Sequence, residues 1–259
     1  MSSASVTHRT IVHRALPGRI ALLEFSEAHE QNPFSRARMR ELRQLLRTLD
    51  NDDEVNCVVL YGGPGRSFGA GGDFHEVSEF DGGDEVDDWI DDITDLYATL
   101  AGISKPVVAA VDGYAIGVGL QIMLCCDYRI GSSRAQLIMP EFKIGIACTF
   151  GGYLLETVVG RSVMQRMLFT CEPWDAERAL DDRLVHEVVG PDELLDHALA
   201  RARAIASYTP TAVRATRPRI NQPCLAGLER IRVEGKIAHR QAFAAGEARE
   251  RMRRIIGKA

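Results

Sequence analysis

The chain has 259 residues, of which 46% are hydrophobic and 26% charged, and its formal net charge is −5. This composition is ordinary for a globular protein with one large domain, or a core plus a smaller extension, and it does not support a nucleic-acid or membrane partner. No apolar stretch approaches the ~20 residues of a membrane span, and the first dozen residues lack the apolar core of a signal peptide. We therefore expect a cytoplasmic protein.

The pattern of apolar residues predicts strands and helices that alternate along most of the chain. Ile20 to Phe25 and Val55 to Gly62 are typical of strands, and Ser35 to Leu49 predicts an amphipathic helix that begins at a serine cap. The stretch from Asp81 to Asp84 predicts a loop, and the chain then becomes helical toward Leu100. This alternation favours a layered α/β core.

The last part of the chain shows helical patterns and no strand pattern. Helices are predicted over Ser162 to Phe169, Asp192 to Ser207 and roughly Ala226 to Ile256. At Arg217-Pro218-Arg219, the proline predicts that the local helix begins later. We predict a core over residues 1–200 and a C-terminal helical extension over 201–259.

A first glycine-rich turn follows the strand-like run that ends at Gly62. In Ser67-Phe68-Gly69-Ala70-Gly71-Gly72-Asp73-Phe74, three glycines and one alanine in four positions let a ligand approach the backbone closely. Asp73 is placed to cap a helix that follows.

A second glycine turn follows the apolar run from Pro106 to Val111, which breaks at Asp112-Gly113 before a helical run from Ile122 to Cys126. Glycines flank Val118, and the unpaired N–H groups of a first helical turn suit an oxygen that gains negative charge. One such turn by itself is more typical of tight packing between a strand and a helix. Two such turns can each donate one N–H to the same oxygen, which is the arrangement of an oxyanion hole.

The two motifs together, Ser-Phe-x-Ala-Gly-x-Asp and Lys-Pro-Val-x-Ala-Ala-Val-x-Gly-x-Ala-x-Gly-x-Gly, resemble the crotonase (enoyl-CoA hydratase/isomerase) superfamily. This resemblance implies a spiral of ββα turns, with C-terminal helices that help to close the site and build a trimer. It also implies an acyl-CoA thioester as ligand. Gly72 and Val118 would then donate the two N–H groups to its enolate or tetrahedral oxyanion.

A further set of segments resembles one branch of the superfamily, the carboxymethylproline synthases of carbapenem antibiotic biosynthesis. These segments are 32–36, 61–63, 70–74, 89–91, 95–97, 112–117, Gln121, 139–141 and 145–148. The resemblance implies an acyltransferase that decarboxylates malonyl-CoA and adds the enolate to pyrroline-5-carboxylate or open glutamate semialdehyde. Hydrolysis of the thioester would then give 5-carboxymethylproline, with malonyl-CoA as a substrate and no permanently bound cofactor.

One departure separates the chain from the hydratases of the superfamily. Hydratases resemble it up to this point but use two glutamates to handle the water that adds to the double bond. The corresponding positions here are Gln121 and Glu141, and a glutamine does not accept a proton at neutral pH. The sequence therefore argues against hydration and leaves Glu141 as general base for hydrolysis.

Supporting roles are predicted with their alternatives. Gln121 would orient the malonyl carboxylate or the hydrolytic water, or would only be an amide inside a helix. His239 would face the amino-acid substrate, or would be a packing residue, and Trp89 would line the pocket or the core. Backbone groups around Phe68 and Ala70 would meet coenzyme A.

The basic and cysteine residues carry weaker expectations. Arg66 and the basic residues of the last long helix either contact the phosphates of coenzyme A or, for most of them, form a solvated face. Those helix residues are Arg230, Arg232, Lys236 and Arg240. The six cysteines show no metal-ligand spacing and are expected to be reduced and buried, and for Cys148 packing is favoured over covalent catalysis.

Two other functions stay open on this sequence. Another crotonase, acting as an acyl-CoA decarboxylase or hydrolase, would release acetyl-CoA or acetate without a proline product. A scaffold or RNA-binding relative without activity is the second, which the charge balance does not favour. For any crotonase, a homotrimer or a hexamer made of two trimers is expected.

Overall fold

A computed structural model describes residues 10–257, so the expectation for the first dozen residues falls mostly outside the described range. Within that range the strands are β1 (Ile11–Leu16), β2 (Ile20–Phe25), β3 (Cys57–Tyr61), β4 (Gly69–Ala70), β5 (Val107–Val111), β6 (Tyr114–Ile116), β7 (Tyr128–Ser132), β8 (Gln136–Ile138), β9 (Trp174–Asp175) and β10 (Glu187–Val189). The helices are α1 (Arg36–Asp50), α2 (Phe74–Val77), α3 (Asp84–Gly102), α4 (Val118–Leu124), α5 (Glu141–Ile144), α6 (Thr149–Val159), α7 (Arg161–Thr170), α8 (Ala176–Asp181), α9 (Leu194–Ala206), α10 (Pro210–Ile220), α11 (Gln222–Ala244) and α12 (Glu247–Ile255).

The larger sheet has the strand order β1-β2-β3-β5-β7-β10. The β1–β2 pair is antiparallel, and the remaining neighbours are parallel. Both faces of this sheet are covered: Val58 and Leu60 of β3 face the main core, whereas Cys57 and Val59 pack in a second cluster with Leu194 and other residues of α9. Burial on both faces explains why the inner strands are continuous apolar runs rather than alternating ones.

The smaller sheet has the order β4-β6-β8-β9, and β4, β6 and β8 are parallel neighbours. Each unit of the core adds one strand to the larger sheet, one short strand to the smaller sheet and then a helix, as in β3-β4-α2, β5-β6-α4 and β7-β8-α5. This confirms the spiral of ββα turns. The sequence analysis placed turns where β4 and β6 lie, because strands of two or three residues are too short to show a period.

The C-terminal part is helical, as predicted, although its details differ. The single predicted helix over 226–256 is two helices, α11 and α12, separated at Gly246 with a φ of 81°. The predicted boundary at residue 200 falls inside α9, and the division into two units stays a prediction. None of the helices within residues 10–257 has the length and apolar character that a membrane crossing requires.

The prediction for Arg217-Pro218-Arg219 is wrong, because α10 already begins at Pro210 and contains Pro218. The buried guanidinium of Arg217 donates to Asp127 over 2.8 Å and to the carbonyl oxygen of Leu100 over 2.7 Å. These tertiary contacts hold the last turn in helical geometry although proline has no N–H to donate.

Candidate active site

Three of the predicted catalytic residues follow the carboxyl ends of neighbouring strands. Gly72 lies just beyond β4, Val118 beyond β6, and Glu141 beyond β8. Because these strands run parallel, with Ala70 opposite Ile116 and Ile116 opposite Ile138, their carboxyl ends meet at one edge of the smaller sheet. The topology therefore brings together residues that are far apart in the sequence.

A cavity of about 480 Å³ opens at this edge. Of the predicted site residues, it is lined by Ala70, Gly72, Trp89, Val118, Gln121, Glu141 and His239. Phe68 is different, since its side chain is fully buried in the core and packs edge-on against Phe25 with ring centroids 5.5 Å apart. The prediction for Phe68 concerned its backbone, and it stays a prediction.

Two backbone N–H groups line the cavity without a protein acceptor among the described residues. Phe34 N donates to Gly71 O over 2.8 Å and Asp73 N donates to Phe34 O over 3.2 Å, which leaves the N–H of Gly72 between them unpaired. Val118 is the first residue of α4, so its N–H has no partner within the helix. An oxyanion hole requires two such donors that reach one oxygen, and the residues that carry these two line the same cavity.

Close contact between glycines packs the two turns against each other. A Cβ atom on Gly119 would lie 2.1 Å from the carbonyl oxygen of Gly69, and one on Gly69 would lie 2.5 Å from the ring of Phe34. From the sequence, these glycines were expected to allow ligand approach, with tight packing as the alternative for the second turn. The structure shows that at 69 and 119 the small residue is required by packing.

A buried asparagine that the sequence analysis gave no role fixes the loop before β4. Asn32 has a φ of 52°, and its Nδ2 donates to the carbonyl oxygens of Gly62 and Ser67, each over 2.7 Å. Asparagine is one of the few residues that adopt this left-handed conformation routinely. The helix cap predicted just after it is confirmed, because the Ser35 hydroxyl accepts from Arg38 N.

Glu141 places a buried carboxyl group at the cavity. Glu141 as a whole residue is half-buried, but its carboxyl group is buried. This burial raises the pKa of the carboxyl group to about 7. Contacts with Cys148 and Gln121 oppose the shift, and Gln121 Nε2 donates to Oε1 over 3.0 Å. Its Oε2 atom has no hydrogen-bond partner within residues 10–257. A carboxyl with a pKa near neutrality and one free oxygen is suited to act as a general base.

Cys148 lines the cavity next to Glu141. Burial and the neighbouring carboxyl raise the pKa of its thiol well above the usual range. A thiol that stays protonated is a poor nucleophile, so the packing interpretation is favoured over covalent catalysis. All six cysteines are free thiols.

The polar atoms of Gln121 are already engaged by the protein. Its Oε1 accepts from the hydroxyl of Tyr97 over 2.8 Å, and its Nε2 contacts Met139 Sδ at 3.6 Å besides donating to Glu141. The sequence analysis missed Tyr97, because a buried aromatic residue on an amphipathic helix is ordinarily a core residue. The resemblance included segment 95–97 without assigning a role to it.

Trp89 of α3 and His239 of α11 form another part of the cavity lining. Their rings meet edge-on with centroids 5.7 Å apart, and the indole Nε1 of Trp89 is buried without a partner among the described residues. Nδ1 of His239 donates to Gly235 O over 2.7 Å. Burial lowers the pKa of His239 to about 4, against backbone hydrogen bonds that raise it, so the imidazole is neutral at physiological pH.

The basic residues considered for coenzyme A have partners within the protein, and their contact with phosphates stays a prediction. Arg232 pairs with Asp91 and Asp95, Lys236 pairs with Asp91, and Arg240 pairs with Asp84 and Asp87, all on α3. Arg230 pairs with Glu234, and Arg66 donates to the carbonyl oxygen of His29. The cavity lining also includes His29 and His75, to which the sequence analysis assigned no role. Over residues 10–257, no His, Cys, Asp or Glu side chains cluster in threes as metal ligands.

Comparison with known protein families identifies the family of this chain. The family model described as "Enoyl-CoA hydratase/isomerase" matches residues 16–255. The chain belongs to this family. Its crotonase fold recurs in an enoyl-CoA hydratase/isomerase from Mycobacterium paratuberculosis, with a TM-score of 0.86 at 23% identity over 95% of this chain and 98% of that one.

Three relatives are more similar in sequence. The carboxymethylproline synthase of Pectobacterium carotovorum subsp. carotovorum is 39% identical over 239 residues, which is 92% of this crotonase and 96% of that protein. The structure of ThnE from S. clavuligerus is 61% identical, with a TM-score of 0.79, over 88% of this chain and 100% of that one. A short-chain-enoyl-CoA hydratase of Clostridium acetobutylicum is 31% identical over 93% of this chain and 92% of its own length.

Proposed function

We propose that this crotonase is a carboxymethylproline synthase that uses malonyl-CoA, and that its product enters carbapenem biosynthesis. The observation that carries the proposal is a single buried carboxyl, Glu141, beside two unpaired N–H donors and next to an amide, Gln121. Hydration needs a cooperating pair of carboxylates. The other carboxylate of the cavity lining, Asp73, caps α2 by accepting from His75 N over 2.9 Å, and the group that contacts Glu141 is the amide of Gln121. The relative from Pectobacterium, which bears the name of this activity, supports the same conclusion.

Decarboxylation needs a place for negative charge rather than a base. The thioester oxygen of malonyl-CoA accepts hydrogen bonds from the N–H groups of Gly72 and Val118. Cleavage of the bond to CO₂ leaves its electron pair in a thioester enolate, whose oxygen these donors stabilise. This step therefore does not need a pair of carboxyl groups.

The enolate carbon then attacks C5 of pyrroline-5-carboxylate. A C–C bond forms, the electron pair of the C=N bond moves to nitrogen, and the nitrogen takes up a proton to give 5-carboxymethylprolyl-CoA. Trp89 and His239 line the cavity where we place the acceptor. Because His239 is neutral, it contributes a hydrogen bond or a surface rather than a counter-charge.

Hydrolysis completes the sequence. Glu141 takes a proton from water as the water oxygen attacks the thioester carbon, and the two N–H groups stabilise the second oxyanion. Collapse of the tetrahedral intermediate expels the thiolate of coenzyme A, which takes up a proton. Coenzyme A is thus part of the substrate and product and not a resident cofactor.

We also propose a homotrimer, alone or paired into a hexamer. Large apolar side chains that are exposed on the single chain support an interface, among them Phe169 at 74% and Val233 at 61% exposure. Light scattering coupled to size-exclusion chromatography measures the molar mass, and a monomer would contradict this part of the proposal.

The deciding experiment incubates the protein with malonyl-CoA and pyrroline-5-carboxylate and detects carboxymethylproline by mass spectrometry. A reaction without the pyrroline measures decarboxylation alone. Release of acetyl-CoA or acetate with no proline product, while the pyrroline is present, would favour the decarboxylase or hydrolase alternative. No turnover of malonyl-CoA at all would overturn the proposal.

A further inference from the structure

A chain of hydrogen bonds connects the buried face of α3 to the carboxyl group of the cavity. The Tyr97 hydroxyl donates to Gln121 Oε1 over 2.8 Å, and Gln121 Nε2 donates to Glu141 Oε1 over 3.0 Å. Tyr97 is fully buried and packs edge-on against Phe150. Tyr97 is not among the residues that line the cavity, and its hydrogen bond to the cavity lining is the one to Gln121.

This chain fixes which way the Gln121 amide points. The buried Tyr97 hydroxyl stays protonated, because burial raises its pKa well above the usual range, and it therefore donates to the amide oxygen. With the oxygen facing Tyr97, the NH₂ group must face Glu141. In the reversed orientation, the amide oxygen would face the carboxylate and two acceptors would meet, while Tyr97 would lose its acceptor.

The orientation of the amide also determines how the two carboxyl oxygens differ. Oε1 accepts from Gln121, whereas Oε2 has no partner within the described range. We propose that Tyr97 is a positioning residue for thioester hydrolysis: by orienting Gln121, it holds Glu141 Oε1 as an acceptor and leaves Oε2 to take the proton of water. The role in hydrolysis rests on the proposed function.

The first test compares Tyr97→Phe with the matched control Tyr153→Phe. Both variants keep the ring and lose a hydrogen-bonded hydroxyl. The Tyr153 hydroxyl, however, donates to the carbonyl oxygens of Pro223 and Cys224, two residues that are not among those lining the cavity. With synthetic 5-carboxymethylprolyl-CoA, we expect kcat for hydrolysis to fall by about three- to tenfold in Tyr97→Phe, with KM within about twofold. Formation of the CoA-linked product from malonyl-CoA should be unchanged.

The pH profile separates positioning from a loss of stability. Donation from Gln121 lowers the pKa of Glu141, so its loss raises that pKa and moves the rise of the hydrolysis rate to higher pH. Tyr153→Phe should leave the midpoint of the profile where it is in the wild type. Equal midpoints in Tyr97→Phe and wild type would overturn the inference.

A double-variant cycle tests whether Tyr97 acts through Gln121. Gln121→Met keeps the length of the side chain and removes both the acceptor for Tyr97 and the donor to Glu141. Adding Tyr97→Phe to Gln121→Met should then change neither the hydrolysis rate nor its pH midpoint. A further loss in the double variant would show that Tyr97 acts by another route.

Titration of the carboxyl group without substrate separates this inference from the proposed function. Infrared difference spectra follow the Glu141 carboxyl band, which is assigned by its loss in Glu141→Gln. We expect a midpoint near 7 in the wild type and a higher one in Tyr97→Phe. A higher midpoint in a protein that makes no carboxymethylproline would retain the positioning and refute the synthase, whereas an unchanged midpoint would refute the positioning for any substrate.

Discussion

Two parts of the cavity lining are fixed by different forces. The sheet wall, formed by Gly72, Val118 and Glu141, is held by backbone hydrogen bonds at the ends of β4, β6 and β8 and by contact between Gly69 and Gly119. The helix wall, formed by Trp89 and His239, is held by aromatic contacts and by the ion pairs between α3 and α11.

This difference matches the two tasks of the proposed reaction. Donors for an oxyanion must stay within tenths of an ångström of their position. The turns that carry them have little room to move, because a carbon added at Gly69 or Gly119 would clash. The ion pairs of the helix wall involve partly exposed carboxylates, and such pairs are individually weak and sensitive to salt. We infer that the sheet wall carries the chemistry and that the helix wall adapts to the acceptor.

The largest effect is expected for Glu141→Ala. Without the general base, hydrolysis should slow by about 10²- to 10⁴-fold, while decarboxylation and bond formation continue at the intact N–H donors. Mass spectrometry of a time course should then show the CoA-linked product accumulating. If the variant instead lost decarboxylation alone, the division of roles within the sheet wall would be wrong.

The next effect concerns how the buried carboxyl of Glu141 lowers the free energy of unfolding. Burial raises the pKa of Glu141 from 4.5 to about 7, so the folded protein binds this proton more tightly than the unfolded chain does. Stability therefore falls as pH rises from the unfolded value through the folded one, by about 3 kcal/mol in total.

Glu141→Gln should remove this pH dependence. We expect the variant to have the larger free energy of unfolding at about pH 8, and the difference to shrink as the pH is lowered to about 5. Urea denaturation at both pH values measures it. A difference that is the same at both would show that the carboxyl does not titrate as described.

A smaller effect separates two glycines of the sheet wall. A Cβ on Gly119 would lie 2.1 Å from the Gly69 oxygen, whereas one on Gly72 would have its nearest neighbours, in Trp89 and Val77, at 3.9 Å. Gly119→Ala should cost about 1–3 kcal/mol of stability and slow decarboxylation, because the two turns must separate. Gly72→Ala should unfold at nearly the wild-type temperature. Equal thermal stability of the two variants would contradict the contact between the turns.

The parts of the site that were predicted from sequence carry local signals. Glycines around residues 72 and 118 and the Pro140-Glu141 step mark the sheet wall, because turns and helix starts depend on a few adjacent residues. The short strands β4, β6 and β8 carry no such signal, since their pairing joins segments that are far apart. That pairing brings Gly72, Val118 and Glu141 to the same edge of the sheet.

The residues that were missed act through partners elsewhere in the chain. In the sequence, Tyr97 is an ordinary aromatic residue of a helix, and its role follows only from its hydrogen bond to Gln121. Asn32 likewise precedes a helix, and its role follows only from its hydrogen bonds to Gly62 and Ser67. Arg232 and Arg240 of α11 have the same charge whether they face solvent, phosphate or an acidic helix. Only the tertiary structure assigns them to the carboxylates of α3.

The smallest expected effect tests the helix wall. Asp91 accepts from Arg232 over 2.9 Å and from Lys236 over 2.8 Å, so Asp91→Asn weakens two links between α3 and α11. We expect a loss of stability of at most about 1 kcal/mol at low salt, which disappears toward about 1 M salt, where charges are screened over ~3 Å. Glu54→Gln is the control, because Glu54 is exposed, lies outside the helices and forms no ion pair within residues 10–257.

Kinetics of the same variant show which wall the ion pairs support. If the helix wall holds the acceptor, Asp91→Asn should raise KM for pyrroline-5-carboxylate by about twofold at low salt and leave decarboxylation without acceptor unchanged. The reason is that the N–H donors and Glu141 are held by the smaller sheet and do not depend on α11. A matching loss in both reactions would mean that the two walls are mechanically coupled, and the proposed separation of chemistry from acceptor binding would fail.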